Sequence, residues 1–200
     1  SGRVAMRVHA LYSGVSYDDK DALTWLSAKD TGNFRIEKAN VGIGCSVGTA
    51  TDATHGEVLK LTATNGGPSS RGAGAWIKNE FSPCRDLKGF RVIRVRVKGD
   101  GSGAVLNFQL TKPRVYGDAF SEHYVKLDFT GWKEIEMPVR ERDAEDYDKY
   151  VWPYDGYAAV FHNWLNFLQI GALNLIVNEI PAGGVVDVEI ADVRLARQVP

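Results

Sequence analysis

Short stretches in which hydrophobic and polar residues alternate recur along most of the chain. Leu106, Phe108 and Leu110 alternate with Asn107 and Gln109, which is the period-two pattern of a half-buried strand with a polar outer face. Similar segments, bounded by Gly, Pro, Asn and Asp, predict strands at Phe34–Glu37, Val58–Ala63, Gly74–Lys78, Phe90–Lys98, Ala104–Thr111, Tyr124–Asp128, Lys133–Val139, Ala172–Asn178 and Val185–Leu195. No long helical stripe separates them, so the pattern predicts an all-β fold: a two-sheet antiparallel β-sandwich of jelly-roll type.

The glycine-rich stretch GDGSG, residues 99–103, separates two of these strands. A phosphate-binding glycine loop leads into a helix, whose free N–H groups point at the anion. Here a strand pattern follows Gly103 instead. We therefore interpret the stretch as the turn of a β-hairpin and not as a nucleotide site.

The last predicted strand contains an irregularity. Its hydrophobic residues occupy even positions from Val186 to Ile190 and odd positions at Val193 and Leu195. A period-two pattern that slips by one residue without a turn predicts a β-bulge. The slip falls at Ala191–Asp192.

The first 32 residues lack sustained periodicity, apart from one short helix candidate at Asp21–Ala28. We expect residues 1–32 to form an arm or linker that packs on the body, and residues 33–200 to form one β-sandwich domain. A chain of 200 residues suits a single sandwich of this kind.

Composition and charge exclude several classes of partner. The chain is 44% hydrophobic and 24% charged, as expected for a globular protein. Its formal net charge of −1 gives no excess of positive charge that would attract nucleic acid or an anionic membrane. No apolar run approaches the length of a membrane span. We therefore expect neither nucleic acid nor a membrane as a partner.

The 2 cysteines, Cys45 and Cys84, are too few to bind zinc by themselves and lack the spacing of a redox pair. A disulfide between them and two unpaired, buried thiols are both compatible with the sequence.

Three segments carry a resemblance to a known family. They are VKGDGSGAVLNFQL, HYVKLDFTGWKEIEMPV and LNLIVNEIPAGGVVDVEIADVRL, with a DFTGWK step at Asp128–Lys133 and an IADV step at Ile190–Val193. From about Phe34 to Leu195, the chain resembles the carbohydrate-binding modules that have a galactose-binding-like jelly-roll fold. The resemblance implies a non-catalytic module and places Trp132 in the core, where we expect Phe108 and Ile190 as well.

The resemblance also implies the setting of the module. Such modules accompany a glycoside hydrolase or polysaccharide lyase in a secreted or cell-surface bacterial enzyme. We therefore expect a polysaccharide or oligosaccharide ligand, a catalytic domain in the same parent chain, and a monomer. Modules of this kind often hold a structural calcium ion near the sandwich edge, and the matching regions here contain Glu37, Asp52 and Asp192. Carboxylate oxygens are the ligands that calcium prefers.

Sugar rings stack on aromatic side chains, and their hydroxyl groups need directional polar partners. The stretch 150–169 is rich in aromatic residues, and a loop of this length covers or binds something. A second polar and aromatic loop occupies 111–124. We predict a sugar site shared by these segments and the polar strand face, with candidates Trp152, Tyr154, Tyr157, Tyr116, His123, Arg114, Gln109, Asn107, Trp76 and Arg71. The arginines Arg71, Arg94, Arg96 and Arg114 leave an acidic polysaccharide open beside a neutral one.

Catalysis is the main alternative function, as a jelly-roll polysaccharide lyase or glycoside hydrolase. Glu134 and Glu136 share one strand face, as a carboxylate pair for glycoside hydrolysis would, but the E-x-D-x-x-E strand expected of a jelly-roll glucanase is missing. His123 has no second histidine or cysteine at a metal-ligand spacing. A structural accessory domain without a ligand is the other alternative.

Overall fold

The computed structural model describes residues 23–87, 89–90, 92–111, 120–138 and 169–196. Within these ranges the chain is built from antiparallel strands and one short 3₁₀ helix, Ala28–Asn33. The strands are β1 Leu23–Leu26, β2 Phe34–Ala39, β3 Ile43–Asp52, β4 Gly56–Asn65, β5 Gly74–Arg85, β6 Val92–Asp100, β7 Val105–Thr111, β8 Phe120–Lys126, β9 Thr130–Pro138, β10 Ile170–Asn178, β11 Val185–Ile190 and β12 Val193–Ala196.

The strands form two sheets. Sheet A has seven strands in the order β1-β12-β6-β11-β4-β3, and β9 pairs with β6 outside this path. Sheet B has five strands in the order β2-β5-β10-β7-β8. Every pairing between these strands is antiparallel. The predicted two-sheet antiparallel sandwich is confirmed.

The core lies between the sheets and is supplied by one parity of each strand. In sheet B, Leu106 and Phe108 of β7 are buried in it, and in sheet A so are Val188 and Ile190 of β11. Burial of these alternate positions supplies most of the driving force for the sandwich. The prediction that Phe108 and Ile190 lie in the core is confirmed.

The prediction that Trp132 lies in the core is wrong. The register of β9 against β6 pairs Trp132 with Lys98 and Ile135 with Val95. Since Ile135 and Val95 face the core, Trp132 has the opposite parity and lies on the outer face of sheet A. There it is half-buried, because the turn after β3 packs against it.

The prediction of a hairpin at GDGSG is also wrong. β6 belongs to sheet A and β7 to sheet B, so the turn carries the chain from one sheet to the other. Gly101 and Gly103 adopt a positive φ of 76°, and their N–H groups donate to the carbonyls of Phe129 and Leu127 in the link between β8 and β9. Alternation predicts the two strands, but it does not say whether they pair.

Two further sequence predictions have opposite outcomes. The β-bulge is confirmed: β6 pairs Val97 with Ile190 but Arg94 with Arg194, so β11–β12 holds one extra residue at the predicted slip. The helix candidate Asp21–Ala28 is wrong, because Leu23–Leu26 is strand β1, paired with β12. β1 lies within the predicted arm of residues 1–32, and the division of the chain at residue 32 stays a prediction.

Candidate functional site

The outer face of sheet B, which points away from sheet A, carries an unusual number of polar side chains. The strand registers arrange them in rows that cross the sheet. One row contains Trp76, Ile176, Asn107 and Tyr124, and the next contains Lys78, Asn174, Gln109 and Glu122. We call these eight residues the sheet B polar face.

The amide side chains of this face are linked to one carboxylate. Asn107 Nδ2 and Gln109 Nε2 each donate to Glu122 Oε1 over 3.0 Å. Asn174 Nδ2 donates to Gln109 Oε1, also over 3.0 Å. Asn174 and Asn107 are 0% and 1% exposed, and Gln109 and Glu122 are 8% and 9% exposed. The amides are therefore held in fixed orientations.

Some polar atoms of this face lack a partner. Within the described part of the chain, Trp76 Nε1, Asn107 Oδ1 and Asn174 Oδ1 are buried and accept or donate no hydrogen bond. A buried polar atom without a partner costs about 1–3 kcal/mol, so each calls for an explanation, and a bound ligand or water is a common one. One donor and two acceptors in neighbouring rows form a set that hydroxyl groups can satisfy.

The open part of the face lies towards β5 and β2. Trp76 and Ile176 are half-buried and give an apolar strip. Lys78 donates to the exposed Glu80 over 3.0 Å, and Arg35 pairs with Glu80 over 3.1 Å. The bond from Lys78 lowers the pKa of Glu80, and the bonds to Glu37 and Glu80 raise the pKa of Arg35. These ion pairs place both positive and negative charges at the edge of the face formed by β5 and β2. The edge therefore favours neither an acidic nor a basic ligand.

The structure brings three of the predicted sugar-site residues to one face of one sheet. Trp76, Asn107 and Gln109 belong to the sheet B polar face. His123 does not, because it pairs with Phe108 and shares its core-facing parity. Arg71 is exposed in the turn before β5. The remaining predicted ligands lie outside the described residues: Arg114, Tyr116, Trp152, Tyr154 and Tyr157.

Sequence reasoning missed five members of the face, and two of these, Glu122 and Asn174, hydrogen-bond to predicted residues. Both occupy positions whose parity points away from the core, but only Asn174 interrupts a hydrophobic run. A signal for Asn174 was present, since ALNLIVN places a polar residue on the outer parity of a buried strand. Only the register of the sheet shows that these side chains meet Asn107 and Gln109.

A second polar cluster lies on the outer face of sheet A, around Asp52. Its Oδ2 accepts from Trp132 Nε1 over 3.0 Å and from Lys98 Nζ over 3.4 Å. Its Oδ1 accepts from the backbone N–H groups of Thr54 and His55 over 2.9 and 3.0 Å. The bond from Trp132 contributes most to holding the pKa of Asp52 well below its usual range.

This cluster closes the β3–β4 turn over sheet A. The His55 ring meets Trp132 edge-on at 4.5 Å between centroids, and Lys98 also pairs with Glu189 over 2.9 Å. Both carboxylate oxygens of Asp52 are used within the protein. We interpret the cluster as a structural clamp and not as a ligand site.

The predicted calcium ligands do not fit a metal site. Glu37 is on β2 of sheet B and pairs with Arg35 over 3.3 Å, while Asp52 is on β3 of sheet A and is held in the clamp. Asp192 is exposed at the bulge. In the described ranges no group of three or more His, Cys, Asp or Glu could hold a metal ion.

Glu134, one of the two carboxylates weighed for catalysis, has structural partners. Glu134 lies on the outer face of sheet A between Arg96 and Arg194, at 3.3 and 3.2 Å. Arg94, of the same parity, is almost fully buried on that face. Arg94 and Arg96 therefore lie on sheet A, away from the sheet B polar face, and Arg96 belongs to an ion-pair network there.

Cys45 on β3 and Cys84 on β5 are free and half-buried. Burial raises the pKa of the Cys45 thiol. Among the described residues, no helix has the length and apolar character of a membrane span.

Comparisons with known proteins agree with this architecture. The model of the carbohydrate binding domain (family 11) matches residues 12–159, which is more than half of the chain. A family 11 carbohydrate-binding module from Clostridium thermocellum, solved with a β-1,3-1,4-mixed-linked tetrasaccharide, superposes with a TM-score of 0.57 at 17% identity, over 82% of this chain and 88% of that one. A family 11 module of a cellulosomal cellulase from the same organism gives a TM-score of 0.57 at 13% identity, over 84% and 89% of the two chains.

A curated relative extends the comparison to whole enzymes. A mannan endo-1,4-β-mannosidase from Bifidobacterium adolescentis is 33% identical over 99 residues, which is 42% of this chain. The aligned part is 9% of the length of that enzyme. The chain therefore corresponds to a small part of that relative.

Proposed function

Because the chain belongs to family 11 of the carbohydrate-binding domains, we propose that it binds a β-glucan chain on the sheet B polar face. Membership in this family makes the chain a non-catalytic carbohydrate-binding module, as the sequence resemblance implied, and the alternative of a lyase or hydrolase is set aside. The glucan is proposed because a structurally similar family 11 module was solved with a mixed-linked tetrasaccharide.

The observation that supports the placement is the set of atoms without a partner among the described residues, Trp76 Nε1, Asn107 Oδ1 and Asn174 Oδ1. Hydroxyl groups both donate and accept, so a sugar can satisfy all three. The indole of Trp76 and the side chain of Ile176 offer an apolar strip to the C–H face of a pyranose ring. We propose that the polymer lies along β5 and β10 and directs hydroxyl groups towards the buried amides.

The binding should be weak. A small, wet interface leaves little free energy after the costs of ordering the partners, so we expect a Kd of about 10 µM to 1 mM. Trp152, Tyr154, Tyr157 and Tyr116 remain our candidates for a second stacking ring, with Arg114 as a polar partner.

Calorimetry with a mixed-linked glucan tetrasaccharide tests the proposal, with cello-, manno- and xylo-oligosaccharides as the comparison panel. Trp76→Ala and Asn174→Ala should each weaken binding by about tenfold or more, since each removes a buried contact. Ser46→Ala, on the exposed outer face of β3 in sheet A, is the control and should bind like the parent. Parent-like affinity in both site variants, with native circular dichroism, would show that the sugar binds elsewhere. Tighter binding of the manno-oligosaccharide would replace glucan by mannan as the ligand.

We further propose that the chain is an accessory module of a larger, secreted bacterial enzyme that degrades polysaccharides. The short share of the mannosidase that it covers and the cellulosomal origin of a similar module support this. Fused to a cellulase catalytic domain, the chain should raise activity on insoluble mixed-linked glucan and leave activity on a soluble oligosaccharide unchanged. Equal activity of the fused and free enzyme on both substrates would argue against a targeting role.

A structural calcium ion remains a proposal from the resemblance alone, without a ligand set on the described residues. Thermal melts with calcium and with a chelator test it, and identical curves would exclude a stabilising ion.

A further inference from the structure

Glu122 stands at the end of a hydrogen-bonded relay that crosses three strands. Asn174 of β10 donates to Gln109 of β7, and Gln109 donates to Glu122 of β8. Asn107, the neighbouring outward residue on β7, donates to the same oxygen, Glu122 Oε1. The strand registers place Asn174, Gln109 and Glu122 directly opposite one another.

A carboxylate fixes the direction of every bond in this relay. An ionised carboxylate only accepts hydrogen bonds, whereas a side-chain amide can present either its NH₂ group or its oxygen. Asn107 and Gln109 must therefore turn their NH₂ groups towards Glu122. Gln109 is then left with its oxygen for Asn174, and Asn174 must donate in turn.

The consequence is a defined pattern of free atoms. With their NH₂ groups used, Asn107 and Asn174 present Oδ1, and within the described residues neither oxygen has a partner. Both side chains are almost completely buried, so neither can turn to bulk water. If the amides were reversed, the same positions would present NH₂ donors.

We propose that Glu122 is a positioning residue that sets the hydrogen-bonding polarity of the sugar site. Through the relay it makes Asn107 and Asn174 acceptors, so the site selects a ligand that presents hydroxyl donors to them, while Trp76 Nε1 donates to a ligand oxygen. This inference rests on the proposed function, because it assigns the ligand of the sheet B polar face.

Exchanging the carboxylate and the amide within the relay provides the test. Gln109→Glu alone places two carboxylates in contact with no donor between them, and it should lower the affinity for mixed-linked glucan tetrasaccharide by about tenfold or more and lower the Tm. In the double variant Gln109→Glu/Glu122→Gln, the amide at position 122 donates to the carboxylate at position 109. That carboxylate still accepts from Asn174, but Asn107 must turn over and accept from the same NH₂ group, because both bonds in the parent end on Glu122 Oε1. All three bonds are kept, so the Tm should return to near the parent value. The free atom of Asn174 stays an oxygen whereas that of Asn107 becomes an NH₂ group, so the affinity should return only in part.

Gln169→Glu is the matched control, because it adds the same charge at an exposed position just before β10. It should leave both affinity and Tm unchanged. If the two substitutions lower affinity and Tm additively in the double variant, or if Gln109→Glu alone changes neither, the relay is wrong. Full recovery of both the Tm and the affinity would also overturn the proposal, because the hydrogen-bonding polarity of Asn107 would then not matter to the ligand.

NMR measurements on the unliganded protein test this inference independently of the proposed function. In ¹⁵N NMR spectra the side-chain NH₂ groups of Asn107, Gln109 and Asn174 should exchange slowly in the parent. In the double variant the NH₂ groups of Asn174 and of the amide at position 122 should exchange slowly. Fast exchange of these groups in the parent would overturn the relay whatever the ligand. Absence of glucan binding by the parent, with slow exchange retained, would instead overturn the proposed ligand and leave the direction of the relay supported.

Discussion

Trp132 Nε1 donates a hydrogen bond to Asp52 Oδ2 over 3.0 Å and so joins strand β9 to the turn that follows strand β3. The bond spans 80 residues of chain. It fastens the β3–β4 turn on the outer face of sheet A, where Lys98 and His55 complete the contact.

Trp132→Phe should destabilise the fold without affecting sugar binding. The variant keeps an aromatic ring against His55 but removes the donor to Asp52, so we expect a fall in Tm of about 2–4 °C. Thermal unfolding followed by circular dichroism measures it. An unchanged Tm would show that the turn is held by its other contacts.

Asp52 should make the stability depend on pH in the acid range. Its pKa in the folded protein lies below that of the unfolded chain, chiefly because Trp132 donates to it. The ionised group therefore stabilises the fold at pH values above the unfolded pKa of about 3.9, and this contribution is lost as the pH falls from there through the folded-state pKa. Asp52→Asn should lower the Tm at pH 7, and its Tm should fall less steeply than that of the parent below about pH 4.

Asp192→Asn is the control, because this carboxylate is exposed at the bulge. It should follow the parent curve throughout. If Asp52→Asn loses as much Tm as the parent between neutral and acid pH, the titration of Asp52 is not responsible for acid destabilisation.

The sandwich follows from sequence periodicity, but the pairing of its strands does not. The alternation in β7 and the slip at Ala191–Asp192 predict a strand and a bulge because both are local consequences of side-chain parity. The sequence pattern does not predict β3, because the residues on its outer parity are small and are equally common in loops: Gly44, Ser46, Gly48 and Ala50.

In the candidate site, too, parity predicts which face a side chain occupies but not which side chains it contacts. Parity predicts that Asn107 and Gln109 face away from the core, and the structure agrees. Parity does not predict that Glu122 and Asn174 contact these two residues. Those contacts depend on the order of the strands in the sheet, which the local sequence pattern does not determine. Trp132 was misplaced for a different reason, because the family resemblance put it in the core although it shares the parity of Glu134, opposite to that of the core residue Ile135.

Gly99→Ala should destabilise the end of β6 through a steric clash. A Cβ atom built at Gly99 would lie 2.5 Å from the carbonyl oxygen of Phe129 and 2.8 Å from its ring. Since the backbone oxygen cannot move aside easily, we expect the free energy of unfolding to fall by about 1–3 kcal/mol. Urea denaturation measures the change.

Gly48→Ala provides the matched control, because a Cβ at this position of β3 meets nothing within 4 Å. It should change the free energy of unfolding by no more than about 0.5 kcal/mol. Equal effects of the two variants would mean that the close approach of Phe129 to β6 is not maintained in solution.

The two tryptophans Trp76 and Trp132 should respond in opposite ways to the same substitution. Trp132 Nε1 has a protein partner, Asp52, whereas Trp76 Nε1 is buried without one among the described residues. Trp76→Phe removes an unsatisfied donor, so the Tm of the free protein should be unchanged or slightly raised. In the complex the variant cannot donate to the sugar, so affinity for mixed-linked glucan should fall by about tenfold.

Trp132→Phe should show the reverse, with a lower Tm and parent-like affinity, because its donor serves the β3–β4 turn on the other sheet. Calorimetry with the tetrasaccharide gives the Kd of each variant, and thermal melts give the Tm of each. These four values test the prediction. The glucan should also raise the Tm of the parent and of Trp132→Phe, since a ligand that binds only the folded state stabilises it by mass action. For Trp76→Phe the same ligand concentration should raise the Tm less. If Trp132→Phe is the variant that loses affinity, the sugar site lies on sheet A, and the placement on sheet B is wrong.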